Sequence, residues 1–171
     1  MKSVLISIQP KWCKLIASGK KTVEVRKTRP NIKTPFKCYI YCTKDNTDIV
    51  PSRIWWKMDK TGFQHILNGM VIGEFVCDKI IELAPINRAD EDIEKQACLS
   101  REQIVEYLRG KGWAWHISDL VIYDKPKELG EFFHACDKPK GTDCSLCVDR
   151  RENKCKSITR PPQSWCYVER R

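Results

Sequence analysis

The run Gly19-Lys20-Lys21-Thr22-Val23-Glu24-Val25-Arg26 constrains the fold more than any other part of this 171-residue chain. Gly19 falls where a helical segment must stop, and a glycine can turn the chain there without strain and deliver it straight into a strand. Side chains along a strand alternate between its two faces. Val23 and Val25 therefore belong to a core, while Thr22, Glu24 and Arg26 share the other, wetter face and Lys21 sits at the strand's mouth. An amine, a carboxylate and a guanidinium so close together are either a solvated ladder of surface charges, which contributes little, or a site.

The same reading extends along the chain. Ser3 to Ile8 alternates apolar and small polar residues as a first strand, and Pro10 suits the first turn of a helix that runs to about Ser18. The strand from Thr22 to Lys27 leads into a proline-marked loop, Thr28 to Pro35, and then into a β-rich stretch, Phe36 to Thr43. Residues 44–69 read as a connecting insertion with some helix around Ile49 to Trp56. Met70 to Leu83 reads as one long β segment in which Gly73 marks a bulge. Ser100 and Gln103 form a capping box for a helix whose apolar face is Ile104, Tyr107 and Leu108, and Gly110 stops it. Trp113 to Tyr123 is a further strand, Glu128 to His134 a helical turn, and Trp165 to Glu169 a closing strand. Strands and helices that do not alternate regularly predict an α+β fold with a barrel-like sheet, in one domain over residues 1–171.

The apolar run Val4 to Ile8 is too short for a signal peptide and is broken by Pro10 and Lys11. No run approaches the roughly 18 apolar residues of a membrane span. The expectation is a cytoplasmic protein with no membrane partner, whose ten cysteines stay reduced. The formal charge of +9 is unevenly spread: residues 1–60 carry 14 basic and 4 acidic side chains, residues 61–135 carry 8 and 13, and residues 136–171 carry 9 and 5. Two basic ends suit a polyanion, because neutralising phosphates releases counterions. Excess lysine that only maintains solubility is the plain alternative.

Cys136, Cys144, Cys147 and Cys155 follow a C-x7-C-x2-C-x7-C spacing. Two thiolates separated by two residues reach one metal through a tight turn, and two outlying thiolates complete a tetrahedral sulfur shell. The spacing predicts a structural zinc loop over 136–156, inserted before the last strand, with buried thiols or a redox pair at Cys144 and Cys147 as the alternatives. No coordination position would remain for a water, and metal binding would supply the folding energy of a segment with few large apolar groups. Cys38 and Cys42 lie four apart on one strand and face the same way, most simply as small buried hydrophobes, as do Cys13, Cys77, Cys98 and Cys166.

Gly19, Lys21, Glu24 and Arg26 match the G-x-K-x-x-E-x-R signature of the ASCH family, a branch of the PUA-like nucleic-acid-binding superfamily, and the chain resembles its small phage and bacterial members. The resemblance extends to Leu5-Ile6-Ser7-Ile8-Gln9-Pro10-Lys11-Trp12, to Trp115-His116-Ile117-Ser118-Asp119-Leu120 and to Arg160-Pro161-Pro162-Gln163-Ser164-Trp165. It implies a PUA-like β-pseudobarrel with flanking helices, and a partner that is RNA or a modified nucleotide. It also implies a cleft lined by Lys21, Glu24, Arg26 and Glu74. A basic rim of Lys20, Lys27 and Arg29 and stacking by Trp113 and Trp115, which share a strand face, would complete the grip.

Some small ASCH proteins are amidohydrolases of N-acetylated cytidine, in which the motif lysine is the base, a threonine the nucleophile and a later glutamate the proton donor. Lys21 and Glu74 match the first and last of these roles, and Glu74, between Gly73 and Phe75, either points to solvent by simple alternation or lines a pocket where desolvation could raise its pKa. Glu24 stands where the threonine would be, and a carboxylate attacking an acyl carbon would give a mixed anhydride. Thr22 is one step along the same face, some 6 to 7 Å away. The hydrolase alternative therefore has Lys21, Glu24 and Glu74 activating a water, or Lys21 and Arg26 stabilising a phosphorane in a metal-independent ribonuclease. His65, His116 and His134 lack a paired context and read as structural.

Overall fold

The computed structural model describes residues 2–44, 55–59, 62–66, 68–83, 91–135, 143–149 and 154–170. Strand β1 (Ser3–Ile8) is followed by helix α1 (Pro10–Ala17), β2 (Val23–Arg26) and β3 (Phe36–Cys42). Among the described residues, strands β4 (Trp55–Asp59) and β5 (Gly62–Ile66) pair only with each other. The helix expected around Ile49 to Trp56 is a strand where it is described, at Trp55 and Trp56, and its remainder lies outside the described residues.

The long segment expected from Met70 to Leu83 is two strands, β6 (Met70–Cys77) and β7 (Ile80–Leu83), which enter different sheets. Helices α2 (Glu91–Ala97) and α3 (Arg101–Leu108) precede β8 (Gly112–His116) and β9 (Ser118–Lys127). The single strand expected over Trp113 to Tyr123 thus breaks at Ile117, and Asp119 takes a left-handed backbone with φ of 46°. A 3-10 turn at Leu129–Glu131 leads into β10 (Phe132–His134), so the expected helical turn is short. Strands β11 (Cys147–Asp149) and β12 (Lys154–Cys155) form a hairpin, and β13 (Trp165–Arg170) closes the order.

Six strands run β10-β13-β1-β3-β6-β9 in one mixed sheet, where β1 is parallel to β3 and antiparallel to β13. The second sheet is β2-β8-β7. All six residues of β1 are buried, because both faces of the large sheet are covered. One face carries Val4, Ile6, Ile8, Cys38, Ile40, Cys42, Ile72 and Phe75 with Cys13 and Ile16 of α1; the other carries Leu5, Tyr39, Tyr41, Val71, Phe132 and Val168. Each large aliphatic side chain so buried stabilises by about 1.5–3 kcal/mol. A third cluster packs Val23 and Val25 of β2 against Ile93 and Ala97 of α2 and Ile104 and Leu108 of α3. At Gly73 a Cβ would come 2.4 Å from the Val121 carbonyl oxygen, and the pairing register shifts on both sides of it. The expected bulge is therefore fixed by the close approach of β9.

The α3 capping box forms as the sequence predicts: Ser100 accepts from the Gln103 backbone N–H while Gln103 accepts from the Ser100 N–H. Cys38 and Cys42 lie in one cluster, Cys13 and Cys77 join them, and Cys98 and Cys166 are half-buried. Among the described residues no helix is long and apolar enough to cross a membrane.

Candidate functional site

Gly19, with φ of 73°, ends α1 and donates its N–H to the Ile16 carbonyl, while Lys20 and Lys21 both donate to Leu15. The Thr22 N–H then bonds the Gln96 carbonyl, and the Ile117 N–H bonds Thr22, so the start of β2 is pinned between α2 and β8.

The face predicted to be wet is polar but buried. Lys21, Glu24 and Arg26 are 2%, 6% and 7% exposed. Lys21 Nζ donates to the Ala97 carbonyl at 2.6 Å, at the negative end of α2, and lies 3.4 Å from Glu24 Oε2. Arg26 Nη2 is 3.0 Å from Glu24 Oε1 and donates to the Ser7 carbonyl at 2.6 Å. Ser7 is itself tied to the C-terminal segment, its N–H bonding the Ser164 carbonyl and its hydroxyl the Pro162 carbonyl. One carboxylate between two cations leaves a net positive charge in a dry place. Burial pushes the Lys21 ammonium below the ordinary lysine value, and the adjacent Glu24 carboxylate draws it part of the way back. Arg26 Nε is buried with no hydrogen-bond partner among the described residues.

These side chains line a cavity of about 330 Å³, together with Ser7, Gln9, Trp12, Leu99, Gln103 and Tyr107. The Lys21 ammonium lies 5.1 Å from the Trp12 ring centroid, and Lys11 holds the same ring at 4.6 Å. Gln103 and Tyr107 stand four apart on α3 and so share the helix face that closes the cavity. Tyr107 is not part of the buried α3 face, as the sequence suggested, but sits 42% exposed at the rim under the Lys27 ammonium, 5.3 Å from its centroid. Sequence reasoning passed over Trp12, Gln103 and Tyr107 as site residues. The i, i+4 spacing puts Gln103 and Tyr107 on one face of α3, and no spacing in the chain marks Trp12.

Glu74 does not join the cleft, which corrects the expectation of a four-residue lining. It stands opposite Tyr39 and Val121 on β6, on the far face of the large sheet, where Lys37 Nζ donates to it at 2.6 Å and the Tyr123 hydroxyl also donates. Burial pushes its pKa up, but the bonds from Lys37 and Tyr123 outweigh this and hold it below the usual carboxylate value, the reverse of what a proton donor needs.

Trp115 is likewise corrected as a stacking residue. It is wholly buried, packed edge-on to Phe36 and beside Trp165, because β8 is the central strand of its sheet. Trp113, at the strand's outer end, is half-buried, with the Arg29 guanidinium 4.6 Å and the Lys111 ammonium 4.9 Å from its centroid. Lys20, Lys27 and Arg29 are all exposed. His116 forms an exposed pair with Asp78, 2.7 Å apart, away from the cavity.

In the cysteine segment, Cys147 and Cys155 are opposed across the β11–β12 pair, and the Cys147 N–H closes a turn onto the Cys144 carbonyl. Cys144 and Cys155 are buried; Cys136 lies outside the described residues. Among the described residues no group of three or more His, Cys, Asp or Glu side chains is arranged to hold a metal.

A mixed α+β architecture with a charged, partly aromatic cleft behind a glycine turn defines the class of protein. The chain belongs to the ASCH family, whose domain profile matches residues 6–127. It is similar in fold to the crystal structure of ASCH from Zymomonas mobilis, with 22% identity, a TM-score of 0.59, and coverage of 98% of this chain and 87% of that one. A point variant of the same Zymomonas mobilis protein gives 20% identity and a TM-score of 0.58, covering 98% and 88%. No curated protein sequence matches.

Proposed function

We propose that the cleft binds one nucleotide unit of RNA or a modified nucleotide. The observation that carries this reading is the buried Lys21-Glu24-Arg26 group, whose net positive charge and Arg26 Nε, unpartnered among the described residues, border a cavity walled by Trp12 and Tyr107. A ligand that is both anionic and flat satisfies the charge and the rings together. A volume of about 330 Å³ falls at the small end of ligand sites, suited to a single base and its sugar. The basic rim of Lys20, Lys27 and Arg29 would meet neighbouring phosphates. Residues 1–171 are read as one PUA-like domain working in the cytoplasm. The test is calorimetric titration with nucleoside 5′-monophosphates at low salt. Binding that weakens in Trp12→Ala and Arg26→Lys is expected, and no binding by wild type at millimolar ligand rejects the proposal.

The hydrolase alternative is supported by the placement of Lys21 on the cavity wall, 3.4 Å from Glu24, where burial pushes its ammonium below the ordinary lysine value. Lys21, when neutral, takes a proton from water as the water oxygen bonds the acyl carbon or phosphorus, and Arg26 steadies the developing oxyanion. As that oxyanion collapses the C–N or P–O bond breaks, and the Lys21 ammonium returns the proton to the leaving amine or hydroxyl. Glu24 holds both side chains in place, and Glu74 has no part. Turnover of N4-acetylcytidine or labelled RNA that is abolished by Lys21→Met supports this role, whereas turnover unchanged in that variant marks a contaminant.

We also propose that Cys136, Cys144, Cys147 and Cys155 hold a structural zinc. The turn from Cys144 to Cys147 and the opposition of Cys147 to Cys155 support it, as does the thiolate chemistry of the set. Elemental analysis should find about one zinc per chain, lost in Cys144→Ser. A folded, metal-free wild type overturns it.

A further inference from the structure

We infer that the cleft is one end of a track for single-stranded RNA, and that a second cavity beyond the end of β2 holds the next part of the strand. The inference rests on the nucleotide-binding reading of the cleft. Its own observation is a second hollow of about 590 Å³, lined by Arg29, Asn31, Ile32, Lys33 and Ile80. The segment Arg26 to Arg29 joins the two hollows: Arg26 borders the first and Arg29 the second.

The residues between them are tied together by strand pairing and ring contacts. Arg26 of β2 is directly opposite Trp113 of β8, and opposed residues of an antiparallel pair project from the same face. Trp113 therefore stands beside the cavity wall, with Arg29 over its ring. One residue past Arg26, Lys27 covers Tyr107, which borders the first cavity. Leaving the cleft, a strand would meet the Lys27 cation on Tyr107, then Arg29 on Trp113, and then the hollow that this same Arg29 lines together with Lys33. Rings and cations alternating along a groove give sequence-tolerant grip on unpaired bases and their phosphates. A duplex, whose bases are stacked inside, could not use the rings. An acidic neighbour on this path, Glu82, is engaged by Lys111 at 2.8 Å.

The second hollow is held in shape by the fold. The Asn31 N–H donates to the Tyr167 hydroxyl at 2.7 Å, and Trp165 Nε1 donates to Thr28 Oγ1 at 3.0 Å, so the loop carrying Arg29 and Lys33 is moored at two points to β13. Arg29 and Lys33 remain exposed, free to meet phosphate.

The experiment compares a nucleoside monophosphate, a single-stranded RNA hexamer and an RNA duplex by calorimetry and fluorescence anisotropy, for wild type and the Arg29→Ala/Lys33→Ala variant. Wild type should bind the hexamer at least about tenfold more tightly than the monophosphate or the duplex. In the double variant that advantage should shrink, and the slope of log affinity against log salt should fall by about 1.4, at about 0.7 for each single-strand phosphate no longer neutralised. Monophosphate binding with no gain for the hexamer overturns the track and leaves the cleft reading standing. A hexamer advantage untouched in the double variant, or preference for the duplex, overturns it too. Failure of every ligand to bind rejects the cleft reading and the track with it.

Discussion

Two lysine–glutamate pairs occupy opposite sides of the large sheet and behave as different chemistry. Lys21 and Glu24 sit in the cleft, almost wholly buried, with a second cation in Arg26. Lys37 and Glu74 lie on the other face at 43% and 19% side-chain exposure, with the Tyr123 hydroxyl as a third member. Both lysines also lie near an aromatic ring, Trp12 in one case and Tyr39 in the other. Residue types alone do not separate them. Burial does, because water screens the outer pair and leaves it worth little, while the inner group depends on its own members for compensation.

That contrast breaks most sharply at Glu24. Glu24→Ala leaves two buried cations facing each other and should cost about 3–5 kcal/mol in urea denaturation, whereas Glu74→Ala should cost less than about 1 kcal/mol. Equal losses in the two variants would mean that the cleft is wetter than its geometry indicates. Next in size is ligand affinity: Arg26→Lys keeps the charge but removes Nε and the bond to Ser7. It should weaken monophosphate binding about tenfold, equivalent to about 1.4 kcal/mol, and Lys37→Ala should not change it.

The smallest effects are in pH dependence, and they have opposite positions on the scale. The folded pKa of Lys21 lies below 10.5, so between that lowered value and 10.5 the unfolded chain binds more protons, and stability rises with pH across the window. Lys21→Met should flatten this alkaline rise. Glu74, held below 4.5, contributes stability that is fully present above 4.5 and is lost as pH falls through its folded value. Glu74→Gln should flatten that acid limb alone, as followed by urea midpoints at each pH.

Features decided by neighbours in sequence were legible in the chain itself. The Gly19 turn, the Ser100 and Gln103 capping box, the bulge at Gly73 and the shared face of Cys38 and Cys42 all depend on a few adjacent residues. Features decided by what covers a sheet were not. Alternation says that Glu74 and Phe75 face opposite ways, but a sheet buried on both sides offers no mark of which side holds the cavity. Trp113 and Trp115 share a face, and what separates them is their cover: Phe36 and Trp165 pack on Trp115, whereas Trp113 meets the Arg29 and Lys111 cations near the surface. Helix α2 went unread because Ile93 and Ala97 are its only buried residues with described side chains amid charged neighbours. Its last carbonyl nevertheless receives Lys21.

The links made by Ser7 set an order of assembly. This one residue receives Arg26 on its carbonyl and reaches Pro162 and Ser164 with its hydroxyl and N–H. A bond between residues 155 positions apart is slow to close and can form only after the distant segment has been synthesised. The lysine and arginine of the motif are synthesised well before Pro162 and Ser164, and the floor beneath them is completed only when that later segment has arrived. A nascent chain thus carries the signature long before it has a cleft.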